Sequence, residues 1–203
     1  MRCIIRNPSR AGVTLIELMV TVSILALVIT ATMETIGTGA ASSRSVTTGV
    51  RENADLRDSG KRIGQELRSA GGGRFDVVVL GDGNHELTFQ VPVTVGGVAG
   101  WGVYDRHLGG DEADWNRVDW SVRYTVVPGD DGERLLVRQV LDDADIVQRE
   151  TTLSGDLRAG NANPAGFQVV DQGDVWEVVI TTESASAIGG DAGGMKLHVY
   201  TQN

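Results

Sequence analysis

The sequence predicts an α+β chain in which a long amino-terminal helix, first apolar and then amphipathic, packs on an antiparallel β-sheet head. Three observations carry that prediction. Residues 13 to 32 are twenty mostly apolar positions without Gly or Pro. Val46, Val50, Leu56, Ile63 and Leu67 then recur at roughly helical separations. After Gly71-Gly72-Gly73 the periodicity shifts toward that of strands.

At helical rise the apolar run spans about 30 Å, enough for one membrane crossing. Arg2, Arg6 and Arg10 precede it and no basic residue follows it directly, which holds the amino terminus in the cytoplasm and leaves the rest outside. The carboxylate of Glu17 lies near the start of the run, where hydrocarbon makes it costly. A cleavable secretory signal is the competing reading, with Ala40-Ala41-Ser42 as a loose processing site. The length of the run and the position of Glu17 stand against it.

From Met33 to Leu67 the chain becomes amphipathic, with Arg51, Glu52, Asp55, Arg57, Asp58, Lys61, Arg62, Glu66 and Arg68 filling the polar surface. Asp58 and Arg62 have the spacing of a weakly stabilising helical pair. One helix from about residue 13 to 69 would extend about 85 Å. Gly37, Gly39, Gly49, Gly60 and Gly64 lower its propensity, most of all between Gly37 and Gly49, a region expected to bend or melt when subunits pack. A flexible linker from membrane to domain is the plainer alternative. The glycine run after Ala70 ends the helix.

In the head, strands are expected at Phe75 to Leu80, Glu86 to Val95, Val118 to Val127, Leu135 to Leu141, Phe167 to Val170, Val175 to Thr182 and Met195 to Thr201. Alternation places Val118, Trp120, Val122, Tyr124 and Val126 on one face, as in a half-buried antiparallel strand. Pro128-Gly129-Asp130-Asp131-Gly132 and Asp171-Gln172-Gly173-Asp174 read as two hairpin reversals. Gly96 to Trp115 and Asp142 to Gly166 read as loops. The first holds Trp101, Tyr104, His107, Asp111, Glu112 and Asp114, which suit packing or partner recognition. The second holds Asp142, Asp143, Asp145, Asn161, Asn163 and Pro164, which read as solvated acidic turns or as oxygen donors for calcium.

The net charge is -9, from 18 basic and 27 acidic residues, and three of the basic ones lie before residue 13. Without residues 1 to 12 the balance is 15 against 27, a net of -12. Such a surface repels phosphate backbones, and no direct nucleic-acid binding is expected. Cys3 is the only cysteine, so a chain beginning at Val13 would form no disulfide. No enzyme is expected and no cofactor. His85, His107 and His198 are scattered, Ser154-Gly155-Asp156 and Ser184-Ala185-Ser186 are not nucleophile elbows, and the triple glycine lacks the lysine of a phosphate loop. A tethered hydrolase and an anchored extracytoplasmic binding or sensory domain are the alternatives.

The segment Gly12-Val13-Thr14-Leu15-Ile16-Glu17-Leu18 resembles the processing and methylation segment of type IV pilins and of type II secretion pseudopilins. The resemblance implies a leader of residues 1–12 ending at Gly12, a methylated first mature residue at Val13 and an assembly carboxylate at Glu17. Val13 departs from the phenylalanine usual there. It also implies a membrane part at 13–32, a stalk helix at 33–70 and an extracytoplasmic head at 71–203. Expected partners are other pilin or pseudopilin subunits, a prepilin peptidase and N-methyltransferase, and an inner-membrane assembly platform. The long head inserts resemble a larger minor pseudopilin, with a minor type IV pilin in assembly, adhesion or DNA uptake as the alternative.

Overall fold

The computed structural model describes residues 14–110, 112–160, 162, 165–173, 175–185 and 192–200. Gly12, Val13, Cys3, the three leader arginines, Asp111, Asn161, Asn163, Pro164, Asp174, Ser186 and Thr201 lie outside the described residues. The chain divides into two units, residues 1–45 and 46–203.

One helix, α1, runs from Leu15 to Ser69 without interruption. The glycines at 37, 39 and 49 do not interrupt its hydrogen-bonded turns. Isolated glycines cost about 1 kcal/mol each, less than a long run of hydrogen-bonded turns recovers. In the first unit every described side chain from Leu15 to Gly39 faces outward. These 25 residues are long and apolar enough to cross a membrane, at about 37 Å of helix.

In the second unit, Leu56, Ile63, Leu67 and the following Ala70 are buried at separations of one and two turns. Val50, expected on the same stripe, is 65% exposed, and the Val46 side chain lies outside those described, so among the described side chains the buried stripe begins at Leu56. The Ala70 amide closes the last turn on the carbonyls of Glu66 and Leu67, both at 3.1 Å.

Eleven strands follow among the described residues: β1 (Phe75–Val79), β2 (His85–Phe89), β3 (Val91–Val95), β4 (Val98–Tyr104), β5 (Asn116–Val118), β6 (Ser121–Pro128), β7 (Arg134–Leu141), β8 (Val147–Ser154), β9 (Phe167–Asp171), β10 (Val175–Ala185) and β11 (Ala192–Tyr200). They form three antiparallel sheets, ordered β1-β2-β6-β7-β8, β11-β10-β9 and β3-β4-β5. The fold is α+β and consistent with a pilin-like arrangement, as expected. Both expected hairpins are present. Gly129 and Glu133 close the β6-β7 turn, and Gln172 donates to the Val175 carbonyl between β9 and β10.

Four expectations need correction. The single strand at 86–95 is two, β2 and β3, in different sheets; at Gln90 both the amide and the side chain turn to bond the backbone of Arg74. The strand at 118–127 is interrupted at Asp119, whose φ is 66° and whose amide bonds the Trp101 carbonyl. Val118 therefore sits on β5 and is exposed, while the rest of the expected row holds: Val122 and Tyr124 lie in the core, and Trp120 and Val126 pack against it. Gly96–Trp115 contains β4, and Asp142–Gly166 contains β8. In β4 a Cβ on Gly102 would lie 1.8 Å from the Arg117 carbonyl oxygen, so close pairing with β5 requires glycine there.

The register of the large sheet aligns Leu87, Tyr124 and Arg138 in one row and Phe89, Val122 and Val140 in the next. All six are buried and belong to the face that meets α1. On another side of α1, β11 approaches so closely that a Cβ on Gly60 would fall 1.8 Å from Met195 Cε and 2.8 Å from Leu197 Cδ1. Gly60, which reads as a weakness of the helix, is where a strand packs on it.

Candidate functional site

Thr14 and Glu17 open α1 with a reciprocal capping box. The Glu17 amide donates to Thr14 Oγ1 at 3.3 Å, while Glu17 Oε2 accepts the Thr14 amide at 3.0 Å and its hydroxyl at 3.1 Å. The first helical bond, Leu18 N to Thr14 O, is 3.2 Å. A carboxylate at this end is further favoured by the helix dipole. Among the described residues Oε1 of Glu17 accepts no hydrogen bond, so one oxygen holds the cap and the other is open to a second donor. The Thr-x-x-Glu spacing was the readable signal for this local role, beside the assembly role assigned from resemblance.

Further along the apolar helix, each hydroxyl is satisfied by its own backbone. Thr21 donates to the Glu17 carbonyl at 2.7 Å, Ser23 to Met19 at 2.8 Å, Thr30 to Ala26 at 2.9 Å, Thr32 to Val28 at 2.8 Å, Thr35 to Ala31 at 2.8 Å and Thr38 to Glu34 at 3.0 Å. Hydroxyls paired this way cost little in hydrocarbon, which is how so many polar residues fit one membrane-competent segment.

A second constellation, absent from the sequence reading, ties α1 to the head. Glu66 bonds Arg138 Nε through both oxygens at 3.1 Å and accepts the Tyr124 hydroxyl at 2.7 Å. Arg138 Nη1 reaches Asp105 Oδ2 at 2.6 Å, and Arg62 lies 3.4 Å from Glu66 and 4.0 Å from Asp105. The Arg138 and Asp105 side chains are only 1% and 2% exposed, and Glu66 is 22% exposed. Burial acts to raise the Asp105 pKa, but the His107 amide and the Arg138 guanidinium outweigh it and hold the carboxyl below its usual range. Burial, with the Glu66 charge beside it, pushes the Tyr124 hydroxyl well above its usual value. Arg138 is held in its charged form by Glu66 in spite of burial. Two opposite pairs thus satisfy one another inside a core. The signal was a charge on each apolar row: Arg138 between Leu136 and Val140, and Glu66 between Ile63 and Ala70.

The remaining candidates have structural employment. His85 Nδ1 lies 2.9 Å from the Val169 carbonyl and 3.2 Å from its amide, joining β2 to β9. The His107 carbonyl accepts Arg149, and His198 is 4.0 Å from Glu177, which Lys196 holds at 2.8 Å. Trp101 packs over the Gly72 and Gly73 backbone, Tyr104 stacks edge-on with Trp115, and Arg106 lies over both rings. Asp142 caps its own turn by accepting the Ala144 and Ile146 amides at 2.9 Å, the Ile146 bond being the main cause of its lowered pKa. Asp145 pairs with Arg74. Among the described residues no group of three His, Cys, Asp or Glu is placed to hold a metal ion.

Residues 7–33 match the family model described as the prokaryotic N-terminal methylation motif. This segment is of the type IV pilin and pseudopilin kind, and the match supports a pilin- or pseudopilin-type structural subunit anchored in a membrane by its apolar helix. No curated protein and no solved structure matches the chain.

Proposed function

We propose that the chain is a structural subunit of a pilus-like filament, of the minor pseudopilin kind that serves type II secretion. The observation that carries the filament reading is the methylation-motif match over residues 7–33 at the start of a membrane-competent helix whose described side chains are exposed, and the long head inserts favour the minor pseudopilin kind. A peptidase removes residues 1–12 after Gly12, the new amino terminus at Val13 is methylated, and the apolar helix holds the product in the inner membrane with its head outside. An assembly platform then drives it into the filament, where the exposed apolar side chains bury against neighbouring helices. Glu17 pairs its second oxygen with the charged amine of an adjacent subunit, leaving neither charge alone. The head serves as cap, initiator or recruiter, and no catalytic step is assigned to it.

Intact-mass and amino-terminal analysis of the membrane-extracted protein tests this. A methylated chain starting at Val13 is the expected result. Retention of residues 1–12, or a cut near Ala41, would sink it in favour of an anchored or secreted domain. Deleting the chain separates the finer choices, since loss of secretion without loss of surface pili marks the secretion pseudopilus.

A further inference from the structure

Each of the three sheets ends in two edge strands, β1 and β8, β11 and β9, β3 and β5. A sheet edge is an open row of backbone donors and acceptors unless something blocks it. β3 carries Pro92, which has no amide to offer, and β5 is three residues long. β8 has two register shifts against β7 and the charges of Arg149 and Glu150. β11 carries Lys196 and His198. On β9 the outward amides of Phe167 and Val169 are taken by side chains of β2, Asn84 at 3.0 Å and His85 at 3.2 Å. β1 has none of these guards. The Arg74 carbonyl accepts the Gln90 amide at 2.9 Å and the Leu80 amide donates to Asn84 at 2.8 Å, so the even-numbered residues between them bond β2 and the odd-numbered ones point away. The backbone groups of Phe75, Val77 and Val79 are turned outward, about 6.8 Å apart. Among the described residues none of them has a partner.

We propose that β1 is a docking edge, which takes up an extended segment of a partner protein as a further strand of the large sheet. The outward backbone row names the occupant, because only another strand repeats its donors and acceptors at that spacing. Side chains on the two faces of β1 set the chemistry of that strand. On the core side, Phe75 and Val77 pack against the core and Val79 is 64% exposed, so the facing residues of the partner are apolar. On the outer side, Arg74 is shared between two carboxylates, Asp76 at 2.8 Å and Asp145 at 2.5 Å, which leaves one negative charge uncompensated. The alternate residues of the partner are therefore basic, which the net of -12 for the chain without residues 1–12 also favours. A second copy of β1 lacks that chemistry, since its one charge is another carboxylate.

The test uses the full chain in micelles of an uncharged detergent, with a synthetic peptide of alternating valine and lysine as the probe and amide hydrogen exchange as the readout. Binding is expected to slow exchange at Phe75, Val77 and Val79 by about tenfold or more and to leave Asp76 and Val78, already bonded to β2, as they are. Val79→Pro removes one outward donor and none of the bonds to β2, and is expected to abolish the protection of Phe75 and Val77. Slow exchange at Asp76 and Val78 shows in the same spectra that β1 still pairs with β2. Val78→Lys, at an exposed position on the outer face, is a second variant expected to weaken binding by repelling the lysines. Unchanged exchange at the three amides, or equal protection by a peptide of alternating valine and glutamate, would overturn the proposal. Protection that rises with the concentration of the chain alone would assign the edge to a second copy and overturn it as well.

Discussion

The two stretches of α1 solve the problem of a polar side chain in apolar surroundings in opposite ways. From Leu15 to Gly39 every described side chain is exposed, and the hydroxyls and one oxygen of Glu17 are satisfied by atoms at most four residues away. From Leu56 onward one face of the helix is buried, and Glu66 is satisfied by residues 58 and 72 positions distant. Apart from Glu34 and one oxygen of Glu17, the described polar groups of the first stretch are satisfied within it, so it can exchange one apolar environment for another. The second is committed to one set of neighbours. Such a division suits a subunit whose head keeps its shape while its apolar helix changes surroundings.

The sharpest way to break the comparison is to remove Glu66. Glu66→Ala leaves Arg138 buried with Asp105 alone and takes the acceptor from Tyr124. A loss of about 3 kcal/mol is expected, within the range for breaking a buried pair. All four tryptophans lie in the head, so a urea midpoint followed by their fluorescence, on the full chain in detergent, reads it. An unchanged midpoint would mean the network does not hold the helix.

Asp105 gives the same network a pH dependence. Its folded-state pKa is depressed, so the unfolded chain binds more protons on acidification. The stabilisation is complete above about pH 4, the ordinary carboxylate value, and is lost as pH falls through the folded value. Asp105→Asn should lower stability at neutral pH by about 2 kcal/mol, the scale of a hydrogen bond to a charged group. It should also flatten the decline on the acid side. An acid limb as steep as that of the wild type would assign the titration to another carboxylate.

The parts legible in the sequence are those where one physical rule acts by itself. The apolar run, the helix stop at Gly71-Gly73 and the two hairpins follow from hydropathy and turn chemistry alone. β4 was hidden because Val98-Ala99-Gly100-Trp101-Gly102 reads as a glycine-rich loop, while Gly102 is required by the closeness of Arg117. β8 was hidden because an edge strand such as Val147-Gln148-Arg149-Glu150-Thr151-Thr152 need not alternate. The Glu66 and Arg138 pair, 72 residues apart, depends on which face meets which. Periodicity shows a charge on an apolar row but not its partner.

Glycines sharpen the contrast at smaller cost. Gly60→Leu should destabilise the head by about 1–3 kcal/mol, as overpacking does, because Met195 and Leu197 already fill that space. Gly39→Ala meets nothing within 4 Å and should instead stabilise the helix by up to about 1 kcal/mol. Thermal melts of the head and helicity in micelles read the two effects. The same sign at both positions would erase the distinction between the stretches.

The smallest effect separates the two roles of Glu17. Thr14→Ala removes the hydroxyl that accepts the Glu17 amide and should cost the first turn about 1 kcal/mol. In micelles, exchange of the Glu17 amide should quicken about fivefold, the factor that 1 kcal/mol represents. Glu17→Ala removes the other half of the box and should fray the same turn to a similar degree. Incorporation into filaments then decides. If the carboxylate acts only as a cap, the two variants assemble equally well. If its second oxygen binds a neighbour's amine, Glu17→Ala falls well below Thr14→Ala while their exchange rates stay alike, because fraying is common to both and only the ion pair is lost with the carboxylate.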